Sequence, residues 1–70
     1  MYKQTKNEQG QVRNDQIQRL SDGAFIPFDP ANTDYQTFKK QINADEAQLE
    51  DADGNLMSPE QAKAYVATLP

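Results

Sequence analysis

The sequence predicts a small α+β fold, with a first half rich in β-hairpins, then one amphipathic helix and a short C-terminal helix. Three observations support this prediction. Short extended segments alternate with turn residues as far as Phe28. Tyr35, Phe38 and Ile42 have the i, i+3, i+7 spacing of one apolar helix stripe. The segment Ser58-Pro59-Glu60-Gln61 has the composition of a helix start.

The length and composition indicate one small domain with a thin core. We predict a single domain over 1–70, strand-rich over 1–28, helical over 30–43 and 59–69, with an acidic loop or hairpin over 44–57. Leu, Ile, Val and Phe make up twelve of the 70 residues, below the roughly one-fifth at which disorder becomes a serious alternative. Without cysteine or histidine, neither a disulfide nor an ordinary zinc site is available. We expect either a marginal, partly disordered monomer or a chain completed by a partner or by its own copies.

Two hairpins are predicted in the first half. The first joins extended segments at 2–5 and 11–13 through the turn residues 7–10, although its alternation of apolar and polar residues is weak. The second joins 17–20 to 24–26 through Ser21-Asp22-Gly23, because glycine accepts a positive φ without steric cost. Since alternate strand residues face opposite ways, Ile17 and Arg19 should share one face of the sheet.

Pro27 indicates where the second hairpin ends, and Phe25 and Phe28 lie on either side of it in the sequence. Proline cannot donate to a sheet ladder, so its strand should be an edge strand or end there. Regular alternation would place Phe25 on one face, and Ile26 with Phe28 on the other. Two alternatives follow: a single bent core encloses both rings, or one ring docks on a partner.

Two helices follow, each with a start signal. Asp29-Pro30 is a good N-cap and first helical position, and Asn32 is a second possible cap. Asn43 is the expected helix end, after which 49–57 is predicted to form two very short extended pieces around an Asp-Gly turn. For the last helix, a capping box at Ser58 precedes an apolar face. That face comprises Ala62, Tyr65, Val66 and Leu69.

The charge distribution argues against nucleic acid and membrane partners. Residues 1–40 carry six basic and five acidic side chains, whereas 41–70 carry Lys63 against six acidic side chains. Phosphate binding needs clustered basic residues, and Lys39-Lys40 is the only adjacent pair. No apolar run reaches the roughly 18 residues of a membrane span, and the first ten residues have no signal-peptide core. We therefore expect a protein made and kept in the cytosol unless another protein carries it out.

No set of residues predicts a catalytic, metal or cofactor site. Asp51, Asp53 and Asn55 have the spacing that begins a calcium loop, but Leu56 and Ala62 occupy the positions of its glycine and bidentate glutamate. An Asp-Gly turn is the simpler interpretation. Neither Ser21 nor Ser58 has a base at a suggestive position, so we expect no enzyme activity and no cofactor.

One segment resembles a known group of proteins. It reads Ile17-x-Arg19-x-x-Asp22-Gly23-Ala24-Phe25-Ile26-Pro27-x-Asp29-Pro30-x-Asn32-x-Asp34-Tyr35-Gln36. This pattern is similar to one that recurs in short proteins of tailed bacteriophages, often encoded near tail-fibre genes. The ending from Met57 to Pro70 looks like the end of such proteins.

The resemblance implies a non-enzymatic virion component. A tail-associated or fibre-adaptor position is favoured on family context, with capsid decoration or a small acidic cytosolic interaction protein as alternatives. The implied partners are other virion proteins, with several copies per particle, and the implied location is the virion after synthesis in the host cytoplasm. Five residues are expected to divide between core and contact surface: Phe25, Ile26, Phe28, Tyr35 and Phe38.

Overall fold

The computed structural model describes residues 1–70 and has a four-stranded mixed sheet with two helices packed on one of its faces. The α+β class is confirmed, with a strand-rich first half followed by two helices, and one further short strand lies between the helices. The elements are β1 (Tyr2–Lys6), β2 (Val12–Arg19), β3 (Phe25–Pro27), α1 (Thr33–Asn43), β4 (Leu49–Glu50) and α2 (Pro59–Ala67). Neither helix is long and apolar enough to cross a membrane.

The strands follow the order β3-β2-β1-β4 across the sheet. The hairpins β1–β2 and β2–β3 are antiparallel, and Ile17 pairs with Ile26, so the two segments of the second predicted hairpin do pair. The extended segments predicted separately at 11–13 and 17–20 form one eight-residue strand, which pairs with both neighbours. The polar residues between these segments are half-buried or exposed, so they gave no apolar signal of a continuous strand.

The short strand β4 pairs with β1 in parallel, which the sequence did not predict. Its pairing places Leu49 beside Tyr2, and both side chains are buried. The Tyr2 ring meets the Phe38 ring edge-on, with 4.8 Å between centroids. The buried apolar core has nine members: Tyr2, Ile17, Ile26, Tyr35, Phe38, Ile42, Leu49, Ala62 and Val66.

The start of α1 differs from the prediction of a helix over 30–43. The helix begins at Thr33, and Asn32 is its N-cap, with its side-chain oxygen accepting the Tyr35 N–H at 3.0 Å. Asp29 closes the preceding turn instead, because its side chain accepts the Ala31 N–H at 3.0 Å. Either residue type can cap a helix, so sequence alone did not decide between them.

The end of α1 is as predicted, at Asn43, and a Schellman motif follows it. The Asp45 N–H donates to Ile42 O at 3.2 Å, and the Glu46 N–H donates to Gln41 O at 2.8 Å. This geometry requires a left-handed residue, and Asp45 takes that role with φ of 58°. Aspartate tolerates this conformation better than most residues other than glycine.

The capping box of α2 is confirmed. Ser58 accepts the Gln61 N–H through Oγ at 3.2 Å, and Gln61 Oε1 accepts the Ser58 N–H at 3.1 Å. Ala62 and Val66 are buried, as the predicted apolar face requires. The helix ends at Ala67 and not at Leu69, and Thr68 is its C-cap.

Candidate functional site

The candidate site is the face of the sheet that no helix covers. The strand pleat directs alternate side chains to opposite faces, and the inner face carries the buried residues Tyr2, Ile17, Ile26 and Leu49. The residues between them therefore lie on the outer face. We call this surface the outer face.

The outer face has one row of side chains that crosses all four strands. Lys3 on β1 pairs with Gln18 on β2 and with Glu50 on β4. Gln18 in turn pairs with Phe25 on β3. An aromatic ring thus ends a row that is otherwise polar.

Phe25 is the most exposed large apolar side chain of the protein, at 59%. Met1 and Leu20 are also exposed, and they are cross-strand neighbours because the Leu20 N–H donates to Met1 O at 2.9 Å. The exposed apolar side chains of this region are thus an aromatic ring on β3 and two aliphatic side chains at the adjoining ends of β1 and β2. Exposed apolar side chains of this kind are candidates for a contact site.

The five residues predicted to divide between core and surface fall in both places. Ile26, Tyr35 and Phe38 are buried, and Phe28 is half-buried beside them, with its ring 5.2 Å from the Tyr35 ring. Only Phe25 lies in solvent. The alternative of one bent core that encloses both Phe25 and Phe28 is therefore wrong, since the pleat turns the two rings to opposite faces.

The backbone of β3 forms an open sheet edge, but a short one. The Arg19 N–H donates to Ala24 O at 2.8 Å, so the next pair, Gln18 with Phe25, is of the non-hydrogen-bonded kind. The N–H and C=O of Phe25 consequently point away from β2. Pro27 has no N–H to offer, which limits the addition of a further strand. A partner at this edge would therefore bind mainly through side-chain contacts and not through backbone hydrogen bonds.

The turn before β3 is held by an ion pair that fixes where Phe25 lies. Both oxygens of Asp22 accept from the Arg19 guanidinium, at 3.0 and 2.8 Å, and the Ala24 N–H donates to the same carboxylate at 3.1 Å. These bonds lower the pKa of Asp22 to about 2. Gly23 completes the turn with φ of 74°.

The ionisable groups whose pKa values are shifted move away from neutral pH. Hydrogen bonds from Arg13 lower the pKa of Asp15, and backbone N–H groups lower that of Asp51. Burial raises the pKa of Tyr2, Tyr35 and Tyr65. Acid–base catalysis near pH 7 favours groups shifted in the opposite directions. The shifted groups therefore give no positive indication of an acid–base pair on the outer face.

The acidic residues of the predicted Asp-Gly turn have structural roles. Asp51 Oδ1 accepts the N–H groups of both Asp53 and Asn55 at 2.9 Å. Asp53 forms an ion pair with Lys6 of β1. The acidic spacing therefore closes a turn and ties it to the sheet.

Sequence reasoning missed Lys3, Gln18 and Glu50 as parts of the same surface as Phe25. Their grouping depends on the strand register, and especially on the parallel pairing of the two-residue strand β4. Comparison of the chain with protein-family models, with curated proteins and with solved structures gave no match.

Proposed function

We propose that this chain is a non-enzymatic structural subunit of a tailed-phage virion, tail-associated or a fibre adaptor, that docks on a larger virion protein through its outer face. The observation that carries the proposal is the 59% exposure of Phe25 on a sheet face that no element covers. Burial of a phenylalanine side chain against a partner contributes about 1.5–3 kcal/mol. Phe25 is the anchor of the contact, and the polar row beside it forms the rim.

The segment that carries the phage resemblance supports this role for Phe25. Other members of the pattern have contacts within the chain: Arg19 and Asp22 pair, Ile26 and Tyr35 are buried, and Asn32 caps α1. The Phe25 ring has no such role. A partner gives this ring the function that the fold does not.

The structure favours docking through the outer face over the alternative of an acidic interaction protein that uses 45–53. Asp45 pairs with Lys63, Asp53 pairs with Lys6, and Asp51 holds its own turn. Only Glu46 and Glu50 of that segment are without such bonds. With three of its five acidic side chains engaged within the chain, this segment by itself offers a basic partner only Glu46 and Glu50.

The test uses particles of a phage that carries this gene. Mass spectrometry of purified virions should find the chain in a fixed ratio to the tail proteins. Fractionation of disrupted particles should then recover it with tails and not with capsids. Virions that contain none of the chain would refute the proposal. Recovery with capsids would show that the subunit belongs to the capsid and not to the tail.

A pair of variants tests the anchor. Phe25→Thr keeps a β-branched residue suited to a strand but removes the ring, and its incorporation should fall at least tenfold. Val12→Thr introduces the same residue at an exposed apolar position of β2 away from the row, and its incorporation should match that of the wild type. Equal incorporation of both variants would exclude Phe25 as the anchor.

A further inference from the structure

A second surface lies on the helical side of the molecule, in the C-terminal half. It is a cleft of about 170 Å³ between the end of α1, the strand β4 and the start of α2. Six apolar side chains line it: Ile42, Ala47, Leu49, Leu56, Met57 and Ala62. We call it the C-terminal cleft.

The cleft has a buried floor and an exposed wall. Ile42, Leu49 and Ala62 are buried and form the floor, whereas Leu56 is 56% exposed. Met57 is half-buried between them, and its flexible thioether can adapt to different occupants. A cavity of about 150 Å³ holds one benzene ring, so this cleft fits one large apolar side chain and not a cofactor.

The cleft lies in the acidic half of the chain. Asp45 is the one charged residue that lines it, and Glu46 and Glu60 are exposed residues next in sequence to the lining residues Ala47 and Pro59. Asp45 pairs with Lys63 at 3.0 Å, and Lys63 is the only basic residue of 41–70. Glu46 and Glu60 take part in none of the ion pairs of the molecule. The apolar cleft therefore belongs to a part of the chain, 41–70, that carries one basic residue against six acidic ones.

We propose that the C-terminal cleft binds a basic segment of a partner protein, by taking one of its leucine or aromatic side chains while flanking lysine or arginine residues face Glu46 and Glu60. Apolar burial supplies the anchor, and charge complementarity selects a basic segment over an acidic one. This site is separate from the outer face. It stands whether or not the chain belongs to a virion.

The test follows the backbone amide resonances of ¹⁵N-labelled protein while short capped peptides are added. The main probe has one leucine between two pairs of lysines. One control probe has glycine in place of leucine, and another has glutamates in place of lysines. We expect the main probe to shift residues that line the cleft, at millimolar concentrations and less strongly in 0.5 M salt, and neither control to do so.

Variants of the protein then locate the binding. Ala47→Leu fills the cleft and should abolish the shifts, whereas Ala31→Leu makes the same change at an exposed turn residue and should leave them intact. The double variant Glu46→Gln with Glu60→Gln changes only exposed side chains, so it should fold and should weaken binding about two- to tenfold. The double variant keeps the test decisive if Ala47→Leu is unstable.

Four results would overturn the proposal. They are equal shifts with the acidic probe, shifts confined to the outer face, no shifts at all, and concentration-dependent shifts at the cleft without any peptide. The last would mean that a second copy of the chain fills the cleft. Each differs from a failure of the virion proposal, which is judged on particles and on Phe25.

Discussion

The three tyrosine hydroxyls have different surroundings, and each residue can be tested singly. Tyr2 donates to Gln41 Oε1 at 2.6 Å, and Tyr35 donates to Pro70 O at 2.7 Å. The Tyr65 hydroxyl is buried without a hydrogen-bond partner. The nearby Gln4 side chain offsets part of the rise that burial gives to the Tyr65 pKa, but their contact falls short of hydrogen-bond geometry.

We expect Tyr65→Phe to leave the free energy of unfolding unchanged or to raise it by up to about 1 kcal/mol, because it removes a buried polar group that has no partner. Tyr2→Phe is the matched control and should lower it by about 1 kcal/mol, since it leaves Gln41 without its donor. Urea unfolding measures both. A clear loss of stability in Tyr65→Phe would show that its hydroxyl is bonded in solution.

The ion pair of Asp22 with Arg19 predicts a dependence of stability on acid. The pKa of Asp22 is about 2 in the folded chain, below the ordinary 3.8. Because the folded value is depressed, this contribution to stability is present above about pH 4 and is lost as the pH falls toward 2.

An NMR titration of the Asp22 carboxyl carbon should therefore have a midpoint near 2. In Asp22→Asn, which keeps the acceptor for the Ala24 N–H but not the charge, stability should depend less on pH in that window. A midpoint near 3.8 in the wild type would mean that the pair with Arg19 is not formed.

Among the elements, those with strong local signals were predicted well. The capping box at Ser58 and the stripe of Tyr35, Phe38 and Ile42 depend only on residues within a turn or two of one another, so sequence specified both helices. The predicted start of α1, at residue 30, was wrong because Asp29 and Asn32 are equally suitable N-cap residues. Tyr35 lies at the third helical position after Asn32, where its N–H can reach that side chain.

The strand β4 and the first strand had no comparable signal. Leu49 is paired with Tyr2 across 47 positions of the chain, and a two-residue strand carries no periodicity. On β1, Gln4 points inward with Tyr2 and is buried, so a polar residue occupies a core position and weakens the alternation. The candidate surface depends on these pairings, which is why only Phe25 could be predicted as part of it.

The left-handed residue after α1 gives a prediction at the level of one helix. Asp45 places a negative charge at the helix C-terminus, where the dipole disfavours it, and adopts a conformation that costs an ordinary residue roughly 1–2 kcal/mol. Asp45→Gly should therefore raise the free energy of unfolding by about 0.5–1 kcal/mol, despite loss of the exposed pair with Lys63.

Thermal unfolding followed by circular dichroism measures this change. Asp45→Val is the opposing control and should destabilise the protein, because a β-branched residue is poorly suited to a positive φ. Destabilisation by glycine would show that the ion pair with Lys63 outweighs the backbone strain.

At the scale of the whole molecule, the two faces of the sheet differ in what they contact. Its inner face joins the helices in a core of nine apolar residues, while its outer face is left to solvent. A domain of this size has little stability to spare. An apolar ring that contributes nothing to the core is therefore free to serve the intermolecular contact proposed above.

Adjacent residues of β3 test that difference. Ile26 is 2% exposed and Phe25 is 59% exposed, so Ile26→Val should lower the free energy of unfolding by about 1 kcal/mol, whereas Phe25→Thr should change it by no more than about 0.5 kcal/mol. Urea unfolding of the isolated chain measures both, and the conservative change at Ile26 keeps that variant folded. If Phe25→Thr cost as much as Ile26→Val, the Phe25 ring would belong to the fold. Its loss from particles could then be explained by unfolding alone, and the outer face would lose its anchor.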